Sequence, residues 1–309
     1  MKKISVVTPC YNEQENVGIL YEEVKKQFEA LPEYEYEHIF IDNASTDNTI
    51  KVLKDIASKD KNVKLIINAR NFGHIRSPYY AMLQAKGDAV ISLVSDLQDP
   101  PQLIPELIKK WEEGYKIVVG IKKQSEENKL FFKLRKAYYN LVTKLSEVEL
   151  VKNYTGFGLY DQLVIQELRK IQDNYPYFRG LICEVGFEKA CIEYVQPARK
   201  RGITKNNFFT LYDIAMLGIT SHSKLPLRLA TMFGFLTAIL SLIAALVYLV
   251  IKIIYWYSMP MGQAPLLIGF FFFSSIQLIF IGIIGEYIGN IHTHIMNRPL
   301  VVEKERINF

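Results

Sequence analysis

Between positions 229 and 285 the chain carries a single charge, Lys252. Two uncharged runs dominate this region. Residues 229–251 are mostly Leu, Ile, Ala, Phe and Val; residues 264–285 centre on Phe270-Phe271-Phe272-Phe273. A helix needs about 20 apolar residues to cross the hydrocarbon core of a bilayer, and both runs reach that length. Two buried core helices are the bland alternative, but no globular core needs two such runs side by side. The rest is different in kind. Of 69 charged residues, 62 lie in residues 1–228. This contrast excludes a purely soluble protein and a disordered one.

The linker between the runs holds Tyr255, Trp256, Tyr257, Pro260 and Gly262, aromatics for an interface and breakers for a turn. Lys224 and Arg228 precede the first run; Arg298, Lys304 and Arg306 follow the second. Basic residues favour the cytoplasmic side, so both termini are expected there, on a multi-pass protein. Gly282 and Gly285 permit close packing between protomers, which leaves a homo-oligomer open.

The net charge of +5 suits a mildly basic surface, or a face toward anionic lipid. No dense basic run argues for nucleic acid as a partner. Three cysteines, Cys10, Cys183 and Cys191, include no C-x-x-C, which disfavours a disulfide framework or a zinc site. The first residues turn polar too soon for a signal peptide and read as a strand.

Strand and helix patterns alternate through the first 120 residues. Short β-branched runs predict strands at 4–8, 38–41, 63–67, 89–94 and 117–119. Helical spacing predicts helices at 15–31, 46–58, 78–85 and 101–113. Val17, Leu20, Val24 and Phe28 would face the core from the first helix, and Ile50, Leu53 and Ile56 from the second. The alternation is that of an α/β, mostly parallel sheet covered by helices. Ligands bind such sheets at the carboxyl ends of strands. Polar clusters stand there: Pro9-Cys10-Tyr11-Asn12-Glu13, Asp42 to Asp47, and Ser95-Asp96-Leu97-Gln98-Asp99-Pro100-Pro101. Singly, each reads equally as a capped turn. Together they favour a sugar nucleotide with a divalent Mg or Mn ion, since carboxylates suit that metal and the metal offsets diphosphate charge. Neither G-x-G-x-x-G nor a P-loop is present.

At these residues the chain resembles family 2 glycosyltransferases, in the polyprenyl-phosphate branch. The matching residues begin with Val6-Val7-Thr8-Pro9-Cys10-Tyr11-Asn12-Glu13, Asp42 to Asp47, Asn71-Phe72-Gly73, Gly87-Asp88 and Asp96-Leu97-Gln98-Asp99-Pro100-Pro101. Arg199-Lys200-Arg201-Gly202-Ile203-Thr204-Lys205, Pro226-Leu227-Arg228, Gly285-Glu286-Tyr287-Ile288-Gly289 and Arg298-Pro299 follow in order. The resemblance implies a GT-A (Rossmann-like mixed sheet) catalytic domain over residues 1–200, then a juxtamembrane amphipathic segment (201–228). Two transmembrane helices (229–289) and a cytoplasmic tail (290–309) would complete the chain. It implies inverting transfer from a nucleotide sugar to a polyprenyl phosphate, with undecaprenyl phosphate in a bacterial inner membrane and UDP-glucose as first choices. Pro9, Tyr11, Glu13, Asp42 and Asp96 would hold the nucleotide sugar, and Asp96 and Gln98 the metal. Lys122, Arg135, Arg199 and Lys205 would meet the lipid phosphate, with Asp96 and Arg199 at the centre of catalysis.

Three departures stand out. Asn43-Ala44 replaces Asp-Gly of the family's Asp-Asp-Gly-Ser, Val94 replaces the first acid of Asp-x-Asp, and Gly156 stands where Gly-Asp-Phe-Arg-Leu has its acid. His74 and Arg76 are atypical and read as a subfamily signature in contact with donor or lipid phosphate; for His74 a surface or helix-capping role is equally open. Residues 130–145 and 206–217 read as amphipathic helices that either lie in the membrane interface or pack in the core. Two other functions compete. A processive polysaccharide synthase would carry Gln-x-x-Arg-Trp, which neither Trp111 nor Trp256 completes. A decayed membrane adaptor would rest on Val94, Asn43 and Gly156 alone.

Overall fold

A computed structural model describes residues 1–124, 151, 153–197, 216–218, 220, 223–255 and 263–309. Arg135, Arg199, Lys205, the segment 130–145 and most of 206–217 lie outside the described residues.

The strands are β1 (Lys2–Cys10), β2 (Tyr34–Asp42), β3 (Val63–Asn68), β4 (Ala89–Ser92), β5 (Ile117–Gln124), β6 (Tyr154–Asp161), β7 (Lys189–Val195) and β8 (Glu303–Ile307). Helices α1 (Val17–Glu29), α2 (Thr49–Lys59), α3 (Gly73–Gln84), α4 (Ile104–Glu112), α5 (Gln162–Lys170) and α6 (Phe178–Glu184) join them. Two long helices, α7 (Leu225–Ile254) and α8 (Gln263–Ile295), precede β8.

One mixed sheet runs in the order β7-β5-β6-β4-β1-β2-β3-β8. β1 pairs parallel with both β2 and β4, and β2 pairs parallel with β3. Helices cover both faces, which is why these strands are apolar on both sides. Val6 and Phe40 face the layer of α1, α2 and α4 with Val17, Leu20, Val24, Phe28, Leu53 and Trp111. Val7, Ile39 and Ile41 face Tyr79, Met82, Ile165 and Leu168 on α3 and α5. Each fully buried side chain of this size stabilises by about 1.5–3 kcal/mol. The expected face of α1 is buried throughout; of the three expected on α2, Leu53 is buried while Ile50 and Ile56 are half-buried.

α3 begins five residues before the expected start at Pro78, which stands inside the helix. Pro at a first helical position is the usual signal. Here two amide side chains cap the start instead: Phe72 N–H donates to Asn43 Oδ1 from the loop after β2, and Gly73 N–H to Asn71 Oδ1 two residues before it, both at 2.8 Å. The helix expected over 101–113 opens as a single 3-10 turn, Pro101–Leu103, before α4. β5 extends to Gln124 because β6 and β7 pair with it on either side.

The tail holds the largest surprise. Glu303–Ile307 pairs antiparallel with β3 and covers the edge of the sheet. Asn308 anchors it, donating from Nδ2 to the carbonyls of Ala57 (2.7 Å) and Val63 (2.8 Å). Lys54 pairs with Glu305, and Val301 is buried.

α7 and α8 have 30 and 33 residues, about 45 and 50 Å at 1.5 Å per residue. Each contains a window apolar and long enough to cross a bilayer, and none of either window is buried. They touch where Phe280 lies 3.6 Å from the space beside Gly234, and Tyr287 donates to the Ser223 carbonyl at 2.6 Å.

Replacing Asn308 by Ala removes two hydrogen bonds to partly buried carbonyls. The expected loss is about 1–2 kcal/mol of stability, read from chemical denaturation of the full chain in detergent.

Candidate active site

β1 is the point where strand order reverses, with β2 and β3 on one side and β4 on the other. Crevices open at the carboxyl ends of strands at such a switch point. The loops after β1, β2 and β4 meet there, and each turns through one residue in the left-handed region: Asn12 (φ 56°), Ala44 (φ 61°) and Leu97 (φ 59°).

Side chains stitch the first two loops together. Asn12 N–H donates to Ser45 Oγ (2.8 Å), and Asn12 Oδ1 accepts from Thr46 N–H (2.8 Å). Glu13 N–H donates to Thr49 Oγ1 (2.8 Å), and Asn48 N–H to Gln14 Oε1 (3.0 Å). Asp42 is fully buried beneath this lattice and accepts from Ser45 N–H (2.9 Å) and Ser45 Oγ. Burial pushes its carboxyl above the ordinary value, more than the Ser45 bonds pull it down. Glu13 accepts from Asn16 Nδ2 at 2.6 Å. Pro9 lies in β1 opposite Ile41, and Tyr11 is half-buried just beyond that strand. The buried Cys10 thiol is raised well above its ordinary value by desolvation, then by Asp42, Glu13 and Asp47, so it is no nucleophile.

Asp96 and Gln98 are both half-buried, and Asp96 Oδ1 accepts from Gln98 N–H at 3.1 Å. Behind them lies a pair the sequence did not single out. Asp99 is 3% exposed and accepts from the Tyr194 hydroxyl at 2.8 Å. Desolvation raises its carboxyl to about 6; Tyr194 and Lys122 pull it down and Asp96 pushes it up. Lys122 on β5 is half-buried. Asp96, Asp99, Tyr194 and Lys122 therefore form one electrostatic group. The motif showed Asp99; its Tyr194 partner lies on β7, far along the chain, and no local signal gave it.

A cleft of about 440 Å³ runs beside this group, lined by Asp96, Leu97, Pro101, Ile19 and Val195. A larger depression, about 1040 Å³, opens by Lys3, Tyr21, Tyr34 and Tyr36. It lies toward the amino-terminal ends of β1 and β2, away from where parallel sheets bind ligands.

The departures have local physical reasons. Asn43 donates from Nδ2 to Asn71 Oδ1 (2.8 Å) and the Gly73 carbonyl (3.1 Å), while its Oδ1 accepts from Asn68 Nδ2 (3.1 Å) and Phe72 N–H. An aspartate lacks the donors. Gly156 has φ 109°, which disfavours an acidic side chain there. Two residues on, a Cβ at Gly158 would sit 2.3 Å from the Val118 carbonyl oxygen.

Among the described residues no cluster of three or more His, Cys, Asp or Glu is placed to hold a metal by itself. Asp96 and Gln98 offer hard oxygen donors from one loop. This suits a Mg or Mn ion that takes its other ligands from phosphates and water.

Two substitutions probe this geometry. Ala44→Gly relieves a left-handed alanine and should add about 1 kcal/mol of stability, read as a higher Tm. Asp99 binds its proton more tightly folded, near 6, than at the ordinary 3.8. Its destabilising effect is absent below about pH 4, grows as pH rises to about 6 and then stays constant, at about 2–3 kcal/mol. Asp99→Asn can still accept from Tyr194, so its stability advantage over the parent should appear between about pH 4 and 6 in paired thermal melts.

Residues 5–185 match glycosyl transferase family 2. An uncharacterised glycosyltransferase of Bacillus subtilis (strain 168) is 34% identical over 300 residues, 96% of this chain and 92% of that protein. The SfII prophage-derived bactoprenol glucosyl transferase of Shigella flexneri is 34% identical over 304 residues, 98% of each chain. Among solved structures, glucosyl-3-phosphoglycerate synthase from Mycobacterium tuberculosis aligns with TM-score 0.48 at 19% identity, over 71% of this chain and 78% of that one. The mixed sheet with helices on both faces is the GT-A architecture the motifs implied. The chain is thus a glycosyltransferase and belongs to glycosyl transferase family 2.

Proposed function

We propose that this enzyme is held in a membrane by α7 and α8 and moves a hexose from a nucleotide sugar to the phosphate of a polyprenyl lipid. One observation carries the reading: a bactoprenol glucosyl transferase aligns over 98% of both chains, the two apolar helices included. We take UDP-glucose as the first donor to test, undecaprenyl phosphate as the acceptor, and a bacterial cytoplasmic membrane, with the catalytic domain and both termini inside, as the location. An assembly of several copies fits Gly282 and Gly285 on α8.

The chemistry follows from the charges. The acceptor is a phosphate monoester with a second pKa near 6, so near pH 7 it is mostly dianionic and already nucleophilic. A strong general base is dispensable, consistent with Gly156 in place of an acid. Displacement at the anomeric carbon by that oxygen inverts the centre, and the nucleoside diphosphate leaves with the bonding electrons. Asp42, with Pro9, Tyr11 and Glu13 around it, binds the nucleotide end. Asp96 and Gln98 would hold a Mg or Mn ion, which when bound offsets charge on the leaving diphosphate. Lys122 offers a cation near Asp99, and Lys122, Arg135, Arg199 and Lys205 are assigned to the lipid phosphate. Two anions must approach each other, and guanidinium groups suit that task through bidentate contacts.

The test is transfer of radiolabelled sugar from a panel of nucleotide sugars to undecaprenyl phosphate in membranes holding the full chain. A chloroform-soluble product from one donor, lost with EDTA, is expected. Asp96→Asn should lower transfer by roughly 100-fold or more, the scale of effect from removing one group that stabilises the leaving charge. No lipid product from any donor, or full transfer by the folded variant, would overturn the reading.

A further inference from the structure

The loop between β3 and the start of α3 builds a cationic cluster that the proposed mechanism does not use. Phe72 is buried there, and two guanidinium groups lie over its ring: Arg70 at 4.0 Å and Arg76 at 5.4 Å from the centroid. Arg76 Nη2 donates to the Pro299 carbonyl. That carbonyl follows α8, which ends at Ile295, and Arg298 is its neighbour in the chain. Three arginines thus meet where the second apolar helix ends.

Among the described residues, none of Arg70, Arg76 and Arg298 forms an ion pair with a carboxylate. Among the described residues, the charged neighbours acting on Arg76 are Arg70 and Arg298, opposed by the Tyr175 hydroxyl; burial and those arginines lower its proton affinity. Arg76 Nε is buried with no hydrogen-bond partner. An unmatched buried donor and like charges held together both destabilise the fold. An anion seated among them offsets both. Its chemistry follows from its place. α8 is apolar and exposed along most of its length, so its end lies at the depth of lipid headgroups if it crosses the bilayer. Arginine suits phosphate because its planar fork donates in pairs.

We propose that Arg76 and Arg298, with Arg70 behind them, hold the phosphate of a lipid headgroup at the end of α8. The inference rests on the membrane placement in the proposed function, not on sugar transfer. The phosphate belongs either to an anionic phospholipid of the bilayer or to a polyprenyl phosphate.

Lipid retention by the full chain tests this. The protein in mild detergent is mixed with phosphatidylglycerol or with undecaprenyl phosphate, and retained lipid is counted by native mass spectrometry. The double variant R76Q/R298Q should retain about tenfold less of one of them. A loss for phosphatidylglycerol identifies the bilayer as the source; a loss for undecaprenyl phosphate alone identifies the acceptor. Equal retention of both lipids by parent and variant overturns the proposal. Thermal unfolding in the same detergent reports folding. Should the double variant unfold, Arg298→Gln, at an exposed position, takes its place: reduced retention supports the proposal and equal retention overturns it. Sugar transfer by the parent is scored separately, so its absence would sink the enzymatic reading and leave the lipid comparison intact.

Discussion

The pairing of β1 with parallel neighbours on both sides organises the molecule. Parallel strands need crossovers, and each crossover returns the chain to the same end of the sheet. β1, β2 and β4 therefore release their loops side by side. Asp42 and Asp96 reach the strand ends on either side of β1 from that constraint alone. The side-chain hydrogen bonds among Asn12, Ser45, Thr46 and Thr49 then fix what topology has gathered. A crevice held this way is set before any ligand arrives, which lowers the entropy lost on binding.

Much of this was legible in the residues. Wherever a strand is buried on both faces, the apolar run is continuous and the strand is easy to find; β1, β2 and β3 are of that kind. Helix α1 shows its period because its outer face is polar. What escaped depends on partners distant in the chain. β8 reads Glu-Lys-Glu-Arg-Ile, a charged run, and becomes a strand only because β3 presents an unpaired edge. Tyr154–Asp161 contains two glycines, which blur a strand signal, yet Gly158 is required by the close approach of Val118. The start of α3 is set partly by Asn43, an amide from the loop after β2, so no local rule about Pro78 could find it. In the site, the motif revealed Asp96 and Asp99 but not the hydroxyl of Tyr194 that separates their roles. Asn43 looked like a lost acid until its four partners showed a junction between loops.

Charge is divided within the crevice. Carboxylates concentrate at the ends of β1, β2 and β4, while Lys122 stands on β5 across the sheet. Burial holds Asp42 and Asp99 above their ordinary values, so neither carries its full charge as readily as a surface acid. Asp96 is the more open of the three. That gradient, from buried and reluctant to half-exposed and available, separates acids that shape the crevice from one that can meet a ligand.

The tail strand bears on mechanics. α7 follows residues in which Leu217 packs against Tyr177 and Cys183, and α8 returns directly into β8 at the far edge of the sheet. The helical hairpin is therefore fastened to the catalytic domain at both of its ends. A body hung from one point can turn about three axes; hung from two, it keeps only the line between them. The double suspension leaves the crevice one line, between those two attachments, about which it can turn relative to the hairpin.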